Sequence, residues 1–275
     1  MYFAYVAVLS AFWKNSPHLG AQPFWILTAV AFGLLLLAAA ETLFPVAISR
    51  FRDFLPLGLT LLAFEEMSLF APPRFDHRLE QTWIRWDSLL LHHWRLRAAI
   101  EGLGWALPLY LEVCYLLVYG LGTYCLIVLY LKGRRRDIDR FFFVCLTGTL
   151  LAYALLPFFP SQPPRLVFPS FENPGVTTWV RLFNLWILRK ASIQVAVFPS
   201  AHVSSAFAAA WAMFLLLPRQ KRFGWGLLVY AVSVSIATIY GRYHYTADVI
   251  AGLGVSGIAG AVALWLARAK RTNRN

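Results

Sequence analysis

His244 and Asp248 stand four residues apart in the stretch Tyr240-Gly-Arg-Tyr-His-Tyr-Thr-Ala-Asp248. That spacing puts both side chains on one face of a helix. A carboxylate beside an imidazole fixes its tautomer and stabilises its protonated form. The other ring nitrogen is then prepared to attack or to accept a proton. A second histidine, His202, closes the stretch Phe198-Pro-Ser-Ala-His202. Pro199 suits the approach to a first helical turn, and Ser200 is a good N-cap. A helix start presents free N–H groups and a positive dipole end, which together favour an anion. Arg165, in Gln162-Pro-Pro-Arg165, and Arg242 add guanidinium forks that match phosphate oxygens. Two histidines with a phosphate cradle point to phosphoryl transfer, in which one attacks phosphorus and the other protonates the leaving oxygen.

The elements that must hold these residues are written in the composition. Apolar residues make up 59% of the 275-residue chain and charged residues 14%, with a mean hydropathy of +0.60. Soluble globular chains are about 45–50% apolar and about 25% charged. The balance excludes disorder, a repetitive or acidic tail and a soluble α/β enzyme. It defines an all-α, polytopic membrane bundle. Seven runs are long enough to cross a bilayer, at about 24–44, 54–71, 105–131, 141–159, 201–217, 223–240 and 247–267. Their continuous apolar character excludes a barrel, whose strands would alternate. We therefore expect about six or seven transmembrane helices. The connection at 72–104 mixes Trp and Leu with Arg and His, and should form one or two helices in the membrane interface. The N-terminal 1–15 has no basic flank and reads as an interfacial segment rather than a cleaved signal. No linker or internal repeat is visible. The expectation is one integral-membrane domain over 1–275, with a catalytic core at about 105–268.

The net charge of +12 is distributed as membrane orientation requires. Fourteen Lys and Arg fall in short loops and the C-terminal tail on one side, from Arg50 and Arg52 through Lys132–Arg140 and Arg219–Arg222 to Arg268–Arg274. Eleven are spread over Lys14 and the long connections, from Arg74 to Arg242. Positive-inside weighting puts the fourteen in the cytoplasm. The three polar stretches then share the outer face, most simply of a plasma (inner) membrane. No basic patch indicates nucleic acid. Cys114, Cys125 and Cys145 lie in apolar runs and read as inert buried thiols. Cys114 and Cys125, about 16 Å apart by helix rise, cannot pair. No metal-ligand spacing exists, and no metal or other cofactor is expected. His18, His77, His92 and His93 read as interface residues. Glu65, Glu66 and Glu112 fall within expected spans, where a carboxylate is costly. They would bind an acceptor hydroxyl, pair with a site arginine, or pair structurally within the bundle. Gly252 and Ser256 continue the Asp248 face at steps of four and should admit the helix that follows His202.

Pro-Ser-Ala-His at 199–202 and Arg-Tyr-His-Tyr-Thr-Ala-Asp at 242–248, after Pro-Pro-Arg at 163–165, resemble the three signature motifs of the type-2 phosphatidic acid phosphatase superfamily. The resemblance covers about residues 75–265. It is closer to the inositol phosphorylceramide synthase-like branch, to which Trp86-Asp-Ser-Leu-Leu is also similar. It implies metal-independent transfer through a phosphohistidine. His244 would be the nucleophile, Asp248 its orienting partner and His202 the general acid. Arg165, Ser200 and Arg242 would hold the phosphate. The sequence departs from the superfamily pattern at Ala201, where glycine is usual, at Thr238, where an arginine is usual, and at Phe158, where a lysine is usual.

The activity expected on this basis is a membrane lipid-phosphate phosphatase working at the outer face on a phosphorylated lipid from the bilayer. The alternative is a phosphotransferase that moves a phosphoryl-containing group from a lipid donor to inositol or another alcohol. A transporter ranks lower because the polar constellation sits at one membrane edge rather than along a path, and a non-catalytic lipid-binding scaffold because His202, His244 and Asp248 are intact. Oligomeric state is open.

Overall fold

The computed structural model describes residues 1–13, 19–72, 75–169, 173–191 and 197–272. Lys14, His18, Arg74 and Arg274 lie outside the described residues. Every regular element among the described residues is helical: α1 Tyr2–Phe12, α2 Gln22–Leu43, α3 Pro45–Glu66, α4 Arg78–Ser88, α5 Leu96–Glu101, α6 Ala106–Leu117, α7 Leu121–Leu131, α8 Ile138–Leu155, α9 Pro164–Val167, α10 Trp179–Ala191, α11 Ala201–Leu216, α12 Arg222–Tyr240 and α13 Thr246–Thr272. Five stretches are long and apolar enough to cross a membrane: Gln22–Leu43, Ala106–Leu131, Arg135–Phe158, Arg222–Tyr240 and Thr246–Arg268. The chain is an integral membrane protein.

Two of the seven expected spans differ. The run at 54–71 belongs to α3, which starts earlier, at Pro45, because a proline at N1 is pre-shaped for a first turn. Its early turns carry Arg50, Arg52 and Asp53, so α3 is not among the five. It ends at Glu66, and a 3₁₀ turn covers Met67–Phe70. The run at 201–217 is α11, whose 16 residues rise only about 24 Å against a hydrocarbon core of about 30 Å. The run at 105–131 is α6 and α7 joined through a 3₁₀ turn at Val118–Gly120.

The chain divides into two compact units, residues 1–75 and 76–275. In the first, α2 leaves most of its apolar surface outward, with Phe24, Trp25, Phe32 and Leu34–Leu36 exposed, as a lipid-facing helix must. Arg52 donates to Glu41 at 2.6 Å and ties α3 to α2.

The second unit is built around α11. Val203, Ser204, Ala206–Ala210, Ala212 and Met213 are all buried, against α8, α12 and α13. Lipid cannot drive helices together by the hydrophobic effect, so small residues that permit close backbone contact do that work. At Gly148 of α8, an added Cβ would lie 2.8 Å from the Ala208 Cβ, and the Ser204 Oγ donates to the Gly148 carbonyl at 2.9 Å. At Gly252 of α13, an added Cβ would lie 2.6 Å from the Ser200 carbonyl oxygen. The expected approach of these two helices on the Asp248 face is therefore present. Gly148→Ala forces α8 away from α11 and is expected to cost about 1–3 kcal/mol, read as a lower thermal midpoint of the detergent-solubilised protein.

Candidate active site

α4 is the strap of the site. Glu80, Trp83 and Asp87, spaced i, i+3 and i+7, form its buried face, while Arg78, Gln81, Thr82, Arg85 and Trp86 are exposed. Each holds a different one of the three polar stretches. The Glu80 carboxylate accepts the Gln162 N–H at 3.0 Å. Trp83 stacks on Phe198, with centroids 4.9 Å apart. Asp87 accepts three bonds: from the Thr246 N–H and hydroxyl, each at 2.8 Å, and from Arg242 Nη1 at 2.6 Å. The expected helices in 72–104 thus form, with a polar inner face.

The stretches also bond to one another through the main chain. The Arg165 N–H donates to the Arg242 carbonyl at 3.3 Å, and the Ser200 N–H to the Asp248 carbonyl at 3.0 Å. The Tyr243 and His244 amides both bond to the Thr238 carbonyl, at 2.9 and 3.1 Å. This folds the turn back on α12 with Arg242 at φ 62°, a left-handed conformation that costs of order 1 kcal/mol for a side-chain-bearing residue. Thr238, at the superfamily's arginine position, therefore shapes the turn through its backbone.

At the centre, His244 Nδ1 lies 3.2 Å from Asp248 Oδ2. The same carboxylate oxygen accepts the Tyr245 N–H at 2.9 Å, a reach back across the first turn of α13. His244 Nε2 faces His202 Nδ1 at 3.5 Å. His202 Nε2 faces the Tyr119 hydroxyl at 3.5 Å, and its ring stacks on Tyr115 at 5.2 Å. Tyr115 stacks in turn on Tyr243 at 3.8 Å. Ser200 caps α11, its Oγ accepting the Val203 N–H at 3.4 Å.

The structure brings His202, His244 and Asp248 into one chain of contacts, with Ser200 bonded to Asp248 and Arg165 bonded to Arg242. Arg165 is partly exposed, with its guanidinium 5.8 Å from the Tyr243 ring centroid. Arg242 is fully buried in its pair with Asp87, and its Nε and Nη2 have no hydrogen-bond partner among the described residues. Glu112 lies in a buried polar cluster. Its carboxylate accepts from Arg181 at 2.8 Å, Asn184 at 2.8 Å and the Tyr243 hydroxyl at 2.6 Å. Arg181 also donates to the Gly241 carbonyl at 3.1 Å, so the cluster supports the turn from α6 and α10. Glu65 and Glu66 are in the other unit. Glu65 is exposed, and Glu66 is buried with both oxygens unpartnered among the described residues. His77, His92 and His93 lie outside the set of contacts around His202 and His244. Among the described residues no group of His, Cys, Asp and Glu is placed to hold a metal ion.

Glu80, Trp83, Tyr115, Tyr119, Arg181 and Asn184 carry no motif signal in the sequence. Asp87 has one, since it lies in the Trp86-Asp-Ser-Leu-Leu stretch.

Fold and geometry define a membrane-embedded helical protein with a His–His–Asp centre at the joined starts of α11 and α13. Residues 81–262, more than half of the chain, match the PAP2 superfamily, and the chain belongs to it. A PA-phosphatase related-family protein of Dictyostelium discoideum is 37% identical over 124 residues, which is 42% of this chain and 21% of that protein. The chain thus spans about a fifth of that relative's length. No solved structure matches the chain.

Burial holds the His244 pKa well below its ordinary value, and the neighbouring His202 and Arg165 charges push the same way. The native site therefore keeps His244 neutral, while the unfolded chain takes up a proton near pH 6.5. This residue's titration therefore costs nothing above that pH and destabilises the fold increasingly as pH falls below about 6.5. Between pH 7.5 and 5.5 the wild type should lose more thermal stability than His244→Gln. Asp87→Ala leaves the Arg242 guanidinium buried without its partner. It is expected to cost about 3–5 kcal/mol, measured by denaturation in detergent.

Proposed function

We propose that this chain is a lipid-phosphate phosphatase that works through a phosphohistidine at the outer membrane face. The observation that carries the reading is the pair of imidazoles. His244 turns Nδ1 to Asp248 and presents Nε2 to His202. A histidine so oriented keeps the proton on Nδ1 and the lone pair on Nε2.

In this reading a phosphorylated lipid enters from the bilayer. His244 Nε2 attacks phosphorus, the bond to the lipid oxygen breaks, and that oxygen takes a proton from His202. His202, now neutral, then accepts a proton from water as the water attacks the phosphohistidine. Inorganic phosphate is released and both histidines return to their starting states. The start of α11 and the partly exposed Arg165 stabilise the phosphate oxygens. Ser200 acts here as the cap that aims the first-turn amides. Arg242 contributes its charge from beneath the turn. The catalytic core then comprises α4 together with about 105–268.

A phosphotransferase is the second reading, in which an alcohol such as inositol replaces water. Asp87 favours keeping it, because the residue of the branch-like Trp86-Asp-Ser-Leu-Leu stretch is the one that fixes Arg242 and the start of α13. The outward orientation follows the distribution of Lys and Arg.

The test uses purified protein in detergent with EDTA, a panel of phosphorylated lipids, and inositol present or absent. Free phosphate from the wild type, at least about 1,000-fold reduced in His244→Ala and strongly reduced in His202→Ala, is the expected result. Phosphorylated inositol with little free phosphate would move the chain to the transferase reading. Full turnover by His244→Ala would sink both.

A further inference from the structure

The two imidazoles of the site have different partners on the nitrogens that face away from each other. His244 Nδ1 lies 3.2 Å from the Asp248 carboxylate. His202 Nε2 lies 3.5 Å from the Tyr119 hydroxyl, and no carboxylate bonds to His202 among the described residues. Tyr119 stands in the 3₁₀ turn Val118–Gly120 that joins α6 to α7. Glu112, Tyr115 and Tyr119, spaced i, i+3 and i+7, run along one face of that stretch. Glu112 accepts the Tyr243 hydroxyl at 2.6 Å, and the Tyr115 ring stacks on both Tyr243 and His202. The Tyr119 and His202 rings make a T-shaped pair 5.5 Å apart. Half of Tyr119 is exposed, so it is not a packing element of the core.

We propose that Tyr119 is the positioning residue of the general acid; this rests on the phosphatase reading. A tyrosine hydroxyl can accept as well as donate. It accepts the Nε2–H of His202. That leaves His202 Nδ1, the nitrogen facing His244 Nε2, to exchange protons with the reacting groups. In the first half-reaction His244 Nε2 bonds to phosphorus, the lipid oxygen leaves with the bonding pair, and it takes the Nδ1 proton. In the second, water oxygen bonds to phosphorus, a water proton goes to the same Nδ1, and the N–P bonding pair returns to His244. The Nε2 proton stays on the Tyr119 side throughout. Without the hydroxyl, neutral His202 can keep its one proton on Nδ1, and in that tautomer Nδ1 cannot take a proton from water. The two partners suit two tasks. An anionic carboxylate holds the Nδ1 proton of His244 and strengthens Nε2 as a nucleophile. A neutral phenol fixes the tautomer of His202 without adding the pull of a negative charge on the imidazolium, so the acid gives up its proton more readily. A 3.5 Å contact is long for this bond, and catalytic contacts of this kind tighten when substrate is bound.

The test compares two esters in detergent. One is a lipid alkyl phosphate, whose alkoxide needs a proton to leave. The other is para-nitrophenyl phosphate, whose leaving group departs without an acid. Tyr119→Phe keeps the ring and should keep the thermal midpoint. It should lower kcat/KM for the alkyl ester at least about tenfold, part of the roughly 100- to 10,000-fold that a general acid supplies, and that for the aryl ester less than about threefold. His202→Ala should show the same bias, more strongly. A loss on the aryl ester as large as that on the alkyl ester would make Tyr119 a structural residue and overturn the proposal, as would no loss on either. A second readout needs no turnover. In protein with isotope-labelled histidine, nitrogen NMR of Tyr119→Phe should show the His202 Nε2 resonance moved and that of His244 Nδ1 in place, the assignments coming from His202→Gln and His244→Gln. An unmoved Nε2 resonance would overturn the role of Tyr119 whatever the activity. Failure of the wild type to hydrolyse either ester would instead sink the phosphatase reading, and the Nε2 resonance would still judge Tyr119.

Discussion

The site depends on a fully buried ion pair, Asp87 with Arg242, at 2.6 Å. Taking two charges out of water costs several kcal/mol each, and a buried pair rarely repays this by attraction alone. What the pair does supply is position. Asp87 also accepts both donors of Thr246, so one carboxylate ties Arg242 near the start of the turn to the first residue of α13. A carboxylate at a helix N-terminus is favoured by the dipole, which offsets part of the desolvation. The left-handed Arg242 is then a strained residue held by its surroundings, in a turn that aims His244.

The same logic extends along α4. A single helix face meets all three polar stretches, through a hydrogen bond at Glu80, an aromatic stack at Trp83 and the ion pair at Asp87. The first two stretches are separated in the chain by α10 and the last two by α11 and α12, so contacts near in sequence alone could not bring them together. Small residues set the other half of the frame. Gly252 lets α13 meet the backbone at Ser200, and the Ser200 amide bonds to the Asp248 carbonyl at that crossing. His202 and His244 are therefore referred to one another through a backbone contact as well as through α4.

The parts legible in the sequence were those whose residue type and short spacing already restrict the chemistry. His244 with Asp248, Ser200 with His202, and the small-residue face of α13 all belong to that class, and the structure brings them together. Apolar runs gave the helical class for a similar reason, since lipid leaves the backbone few alternatives. Boundaries were harder where charge and helix coexist. α3 runs straight through Arg50, Arg52 and Asp53, which an apolar window treats as a loop. The support residues were illegible because their partners are remote. Glu80 and Asp87 act across 82 and 155 residues of sequence. Glu112 has three described partners, and only the fold shows that they converge on one carboxylate.

The distance between the two histidines decides which part of the site must move. An attacking nitrogen sits about 3–3.5 Å from its target before reaction, and a general acid about 2.6–3.2 Å from the oxygen it protonates. Nitrogens 3.5 Å apart leave no room for a phosphoryl group between them. One ring has to turn aside as substrate enters. His244 is the poorer choice, since its backbone is tied to Thr238, its ring to Asp248, and its side chain is buried. His202 is partly exposed, and its ring is held by a stack on Tyr115 and a 3.5 Å contact to the Tyr119 hydroxyl, both weak restraints. A turn of the His202 side chain would open the gap while its backbone stays in the first turn capped by Ser200. On the proposed phosphohistidine mechanism, the nucleophile is then the fixed member of the pair, and the acid is the one that adjusts to the leaving group.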